Sequence, residues 1–184
     1  VDVVEGTLRV TGAITQLASV PAAQNTTLTG GSWRVRNFAT FDVAEPIELI
    51  ARRATLDLQG LSGVPDLVGF LRENRGTMLL SGGRPGISGP GPTIVNKGTI
   101  QMDGNSFALQ VFETPVDQRS SGKIIIKNGT LQLHGLSGST RDFANPGLIR
   151  IEDGTLSLNL DEGAQTGTFI NTGTLDIREM GRVT

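Results

Sequence analysis

A short strand, a glycine corner and a second short strand recur along this chain, and this repeat constrains the fold more than any other feature. The pattern is clearest in residues 92–104, 123–135, 148–158 and 168–177. The Thr or Ser of each corner precedes an apolar anchor, and the anchors lie 19 to 31 residues apart. A period in the low twenties with glycine corners is typical of a solenoid of stacked turns. The eight anchors are Leu8, Trp33, Leu56, Met78, Ile100, Leu131, Leu156 and Leu175.

Each anchor begins an alternating pattern that predicts a buried strand face. Side chains alternate across a strand, so the anchor and the residue two positions later point the same way. Both positions are apolar in every repeat, as in Ile100 and Met102. Stacking these strands buries a core that no single repeat can bury alone. We therefore expect an all-β chain, a right-handed parallel β-helix (β-solenoid) of about eight rungs, with the hand taken from the commoner family of such folds.

The repeat extends over the whole chain, which favours one domain. We expect residues 1–184 to form a single β-helix module. Both ends fall in repeat-like sequence, which favours a piece of a longer protein with flanking domains. The longest interval between anchors contains residues 105–122, which predict an insertion with an extra strand. Residues 65–74 carry a helix-capping residue, Asp66, and predict a single helical turn.

The pattern apolar-x-apolar-Asn-x-Gly-Thr-Leu-x-Leu-x-Gly, found in residues 93–104, 123–135 and 148–158, resembles the parallel β-helix repeats of bacterial secreted and cell-surface proteins. It is similar to autotransporter passengers and to carbohydrate-binding β-helices. The resemblance implies an extracellular or cell-surface location. Asparagine stands two residues before the corner glycine only at Asn74, Asn96 and Asn171, whereas Lys127 and Glu152 take that place elsewhere. An uninterrupted ladder of internal asparagines is therefore not expected.

Composition and charge exclude several classes of function. The net charge is −2 with both signs interspersed, so we expect no nucleic-acid partner. There are no cysteines, which excludes a disulfide framework and thiolate metal sites. No apolar run approaches the roughly 18 residues of a membrane span, so we expect no membrane insertion. We also expect no cofactor and no metal.

The titratable residues do not form a catalytic pattern in the aligned repeats. The one histidine, His134, shares an aligned column with Ser81 and Asp103. A catalytic triad requires His between the nucleophile and the acid, and here Asp lies between. The alignment instead predicts a polar pair between Asp103 and His134 on neighbouring rungs. We therefore expect no enzymatic activity.

A group of acids lies near the corners of neighbouring rungs. Their spacing matches no known calcium loop, and we interpret them as solubilising charges, although calcium binding stays open. They are Asp142, Glu152, Asp153, Asp161 and Glu162.

The residues predicted to contact a ligand lie on the exposed strand face and in the insertion. Polar groups on a long sheet face can bind sugar hydroxyls, and aromatic rings can stack on sugars. We expect a non-catalytic extracellular β-solenoid, a structural spacer or adhesin segment whose partner is a polysaccharide or a host or surface protein. The alternative is a carbohydrate-binding module that uses this face or residues 105–118. The candidate binding residues are Arg9, Arg34, Gln101, Gln132, Phe107 and Phe112.

Overall fold

The computed structural model describes residues 2–3, 7–10, 17–20, 25–36, 40–43, 47–59, 71–81, 86–87, 93–104, 109–112, 115–134, 142–160, 167–178 and 180–184. Every regular element in these ranges is a β-strand. The strands are β1 (Asp2–Val3), β2 (Thr7–Val10), β3 (Leu17–Val20), β4 (Asn25–Arg36), β5 (Thr40–Val43), β6 (Ile47–Gln59), β7 (Glu73–Asn74), β8 (Thr77–Ser81), β9 (Gly86–Ile87), β10 (Ile94–Asn96), β11 (Thr99–Asp103), β12 (Leu109–Phe112), β13 (Val116–Gln118), β14 (Lys123–His134), β15 (Phe143–Asn145), β16 (Leu148–Asn159), β17 (Phe169–Asn171), β18 (Thr174–Ile177) and β19 (Arg182–Val183).

The strands stack in parallel on three faces, which confirms the predicted β-solenoid. On the first face β4, β6, β8, β11, β14, β16 and β18 pair in that order. The second face contains the start of β6 together with β7, β10 and β13, and β15 pairs with β17. The third face contains β9, β12, β19 and the ends of β14 and β16. The long strands β14 and β16 therefore bend from the first face to the third.

About four complete turns, each with all three faces, are described, not the predicted eight rungs. All three faces are described in each layer between Thr77 and Thr174. The eight anchors do not form one column, because the Gly-Thr corner occurs at two different places in a turn. Ile100 pairs with Ile124 on the first face, whereas Leu131 pairs with Leu156 on the third. Leu8 lies in neither column, because β2 pairs with β5 in a separate two-stranded sheet.

The predicted inward positions form the core. The described anchors Trp33, Leu56, Met78, Ile100, Leu131 and Leu156 are at most 1% exposed. Leu175, in the last turn, is only partly buried and packs against the same cluster. The indole Nε1 of Trp33 donates a hydrogen bond to the carbonyl of Gly30 at 3.0 Å, so burying this ring leaves its polar atom paired.

Two segments differ from the regular stack. The strand β3 pairs with β4 in the antiparallel direction, with Leu17 opposite Leu28. The helical turn predicted at residues 65–74 is wrong where the structure describes it, since Leu71 is buried and Glu73–Asn74 is strand β7. Residues 65–70 lie outside the described residues.

The strands β12 and β13 come from the predicted insertion, and they pair with β14 and β10. The insertion itself stays a prediction.

Candidate functional site

The structure separates the polar residues that were predicted to form one exposed face. Arg34 lies on the first face, where its Nε donates to Asp57 Oδ2 at 2.7 Å. Gln101 lies on the same face, but its neighbours in register are Leu79 and Ile125.

The other two polar candidates lie elsewhere. Gln132 is on the third face, opposite Val111 and Ser157. Arg9 lies in the separate two-stranded sheet, opposite Asp42. No two of the four polar candidates are in register with one another, so they do not form a continuous site.

Of the two aromatic candidates, one lies on a described strand. Phe112 lies in β12, opposite Leu133 and Ile87, and its side chain lies outside the described residues. Phe107 also lies outside the described residues. Their predicted roles stay predictions.

The predicted Asp103–His134 pair is wrong. Asp103 is opposite Asn128, and its carboxylate lies 3.5 Å from the ammonium of Lys127. His134 is opposite Asn159 on the third face. The two side chains belong to different faces, because the alignment placed two distinct corners in one column.

A ladder of buried amides lines the first corner, which joins the second face to the first. Asn74 Nδ2 donates to Asn96 Oδ1 at 2.9 Å, and Asn96 Nδ2 donates to Gln118 Oε1 at 2.7 Å. The same two nitrogens also donate to the carbonyls of Thr99 and Lys123. Buried polar groups need partners, and each amide here supplies donors to the next layer.

The ladder has a second part in the last turns, where Asn145 Nδ2 donates to Asn171 Oδ1 at 2.8 Å. An uninterrupted ladder of asparagines was not expected, and Gln118 does stand among the asparagines. The reason given for that expectation was wrong, because Lys127 and Glu152 belong to the second corner, which joins the first face to the third. In the layers that contain Lys127 and Glu152, the residues at the first corner are Gln118 and Asn145.

The first corner differs in length from layer to layer, and the difference forms a groove. Residues 75–76 and 97–98 make tight two-residue corners, whereas residues 51–54 and 119–122 make four-residue corners on either side of them. The long corners are therefore walls and the short corners are the floor. The groove has a volume of about 590 Å³ and is lined by Arg52, Arg75, Lys97 and Ser121.

Hydrogen bonds and ion pairs hold the groove in shape. The hydroxyl of Ser121 donates to the carbonyl of Lys97 at 3.0 Å and ties one wall to the floor. Glu73 lies beside the floor, 2.9 Å from the Arg75 guanidinium and 2.6 Å from the Lys97 ammonium. The hydrogen bond from Arg75, with Lys97 adding to it, holds the pKa of Glu73 below its ordinary value. The side chains of Arg75 and Lys97 remain 47% and 43% exposed, so both cations stay open to a ligand.

Among the described residues no group of three or more His, Cys, Asp or Glu side chains is placed to hold a metal ion. In the same ranges no helix has the length and apolar character needed to cross a membrane. Of the acids near the corners, Asp142 accepts a hydrogen bond from the backbone of Thr168 at 2.8 Å. Asp161 and Glu162 lie outside the described ranges.

The chain matches no protein-family model, no curated protein and no solved structure.

Proposed function

We propose that this chain is a non-catalytic β-solenoid module that serves as a structural spacer or adhesive segment of a bacterial secreted or cell-surface protein. The observation that carries the proposal is the continuity of the interior. Apolar side chains such as Leu56, Met78, Ile100, Ile124 and Ile149 follow one another through successive layers, and each is at most 1% exposed.

A solenoid with such an interior is suited to hold other groups apart. Each turn contacts mainly its neighbours, so the length grows with the number of turns while the cross-section stays the same. The buried amide ladder adds directional hydrogen bonds that resist sliding of one layer over the next. The result is a stiff rod, which is the property that a spacer or a surface adhesin requires.

The stiffness can be tested by distance measurements between two spin labels. The sequence contains no cysteine, so Arg53→Cys and Thr172→Cys introduce the only two attachment sites. Both residues are exposed, and their corners lie five layers apart, about 24 Å at a layer spacing of about 4.8 Å. We expect one narrow distance distribution near this value in buffer and a broad one in denaturant. A broad or multiple distribution in buffer would contradict the spacer proposal.

A second candidate function, polysaccharide binding, is favoured by one observation. The groove at the first corner has a volume of about 590 Å³, within the range of roughly 300–1,000 Å³ that is typical of ligand sites. It differs from the sheet face and the insertion that were predicted to bind a glycan. This groove provides charged and hydroxyl groups, whereas the four predicted polar residues are dispersed.

A further inference from the structure

We propose that the groove at the first corner binds a linear acidic polysaccharide through its carboxylate or sulfate groups. The proposal rests on the adhesive role given above and names the partner and the contact surface for that role. The groove residues are Arg52, Arg75, Lys97 and Ser121.

The shape of the groove suits a polymer. Its walls are the long corners at residues 51–54 and 119–122, which lie three layers apart, about 14 Å at the usual strand spacing. The floor is the pair of tight corners at residues 75–76 and 97–98. The two walls are separated from each other along the solenoid axis. The groove between them therefore runs across the axis and is open toward the first and second faces. A chain can therefore pass through it without its end having to enter.

The charge of this corner suits an anion. Residues 47–54, 71–76, 93–98 and 115–122 contain six basic and three acidic side chains, a net charge of +3 in a chain whose total is −2. The acids lie beside individual cations, since Glu73 contacts Arg75 and Lys97, and Asp117 contacts Arg119. Arg52 and Arg53 are exposed on the opposite wall. These segments therefore carry a net positive charge in a chain that is negative as a whole.

The donor set suits carboxylates and sulfates on a sugar chain. A guanidinium forms paired hydrogen bonds to a planar oxyanion, and an ammonium adds a point charge beside it. Arg75 uses one terminal nitrogen for Glu73, which leaves its other donors for a ligand. The Ser121 hydroxyl has acceptor lone pairs for a sugar hydroxyl. The described residues that line the groove include no aromatic ring for stacking bases, which favours a glycan over a single-stranded nucleic acid.

The test compares four polymers and two matched double variants. Binding of the full chain is measured to heparin, which carries sulfate, to polygalacturonate, which carries only carboxylate, to neutral dextran and to double-stranded DNA. One double variant is Arg75→Gln with Lys97→Gln, in the groove floor. The control is Lys127→Gln with Arg182→Gln, which removes the same charge away from the groove.

We expect binding to heparin or polygalacturonate, no binding to dextran and weaker binding to DNA. The groove variant should raise Kd by about tenfold or more, since two charge-assisted hydrogen-bond donors are lost. The control variant should change Kd by less than about twofold, as is usual for exposed charges away from a site. Binding to heparin alone identifies sulfate as the ligand group, and binding to polygalacturonate identifies carboxylate. Either result supports the proposal.

A third variant acts in the opposite direction and does not depend on loss of structure. Glu73→Gln removes the acid that competes for Arg75 and Lys97, so we expect tighter binding to the same polymer.

Three results would overturn the proposal: an equal loss in both double variants, tighter binding to DNA than to either glycan, or no binding by the unaltered chain. If the unaltered chain fails to bind but its spin-label distance stays narrow, only the groove proposal fails and the spacer proposal stands.

Discussion

The first and second corners of this solenoid turn the chain in different ways. At the first corner, two residues suffice in several layers, and amide side chains such as Asn96 lie buried inside the bend. At the second corner, the strands β14 and β16 continue through the bend in register, with Gly129 opposite Gly154 and Thr130 opposite Thr155. Gly129 has a φ of 82°, which lies in the left-handed region.

The difference shows where a solenoid needs buried polar side chains. At the second corner the strands β14 and β16 stay paired through the bend, and Gly129 turns the chain there with a left-handed backbone conformation. The tight first corner leaves the carbonyls of Thr99, Lys123 and Thr174 facing the amide side chains, and these supply the donors. In its tight layers the first corner therefore depends on buried hydrogen bonds and close layer packing, whereas Gly129 at the second corner depends on local backbone conformation.

The largest expected effect comes from adding a methyl group at the first corner. A Cβ on Gly98 would overlap the carbonyl oxygen of Gly76 and lie 2.6 Å from the carbonyl carbon of Arg75. These are backbone atoms of the layer next to it, so neighbouring turns must separate. We expect Gly98→Ala to lower the free energy of unfolding by about 3 kcal/mol or more, measured by urea denaturation.

The matched control for this variant is Gly30→Ala. A Cβ on Gly30 would have its nearest neighbour, the carbonyl oxygen of Arg53, at 3.8 Å, which is ordinary contact. We expect little loss there. An equal loss at Gly30 and Gly98 would mean that close layer packing is not the cause.

The second effect tests the amide ladder itself. Asn96→Leu keeps the approximate volume but leaves Gln118 Oε1 and the carbonyl of Lys123 without their donor. Unsatisfied buried groups cost about 1–3 kcal/mol each, so we expect a loss of about 2–4 kcal/mol in the same denaturation experiment. Asn171→Leu is the control, because Asn171 is exposed and accepts one bond from Asn145. A larger loss at Asn171 would contradict the role given to the buried ladder.

The third effect is local to the second corner. Gly129→Ala places a side chain on a left-handed backbone, which costs about 1–2 kcal/mol. We therefore expect a smaller loss than for Gly98→Ala, with a similar urea dependence of the unfolding free energy. A loss larger than that of Gly98→Ala would reverse the distinction between the two corners.

The smallest effect concerns the acid beside the first corner. The pKa of Glu73 lies below its ordinary value of 4.5, so its ion pairs contribute stability above pH 4.5 that is lost as the pH falls through the lowered pKa. The contribution is below about 1 kcal/mol, because the partner cations are partly exposed. Urea midpoints across this range should fall less steeply for Glu73→Gln than for the unaltered chain. Identical slopes would remove Glu73 from the acid sensitivity.

Two of the four groove residues could have been placed in neighbouring layers from the sequence. Arg75 and Lys97 each stand between Asn and Gly, and their asparagines lie 22 residues apart, one turn of the repeat. This spacing indicates that both cations occupy neighbouring layers. Arg52 and Ser121 carry no such signal, because their corners are longer and break the Asn-x-Gly pattern. Gln118 was missed for the same reason.

The sequence by itself determined the solenoid, the inward apolar positions and the presence of tight glycine corners. These follow from alternation along a strand and from turn chemistry, which are properties of adjacent residues. Only the tertiary structure decided which corner each Gly-Thr belongs to, which amide meets which, and where the cationic groove lies. Those features depend on the register between turns, which is set by how many residues each corner contains when the layers stack. Gln101 and Gln132 look equivalent along the chain and lie on different faces for that reason.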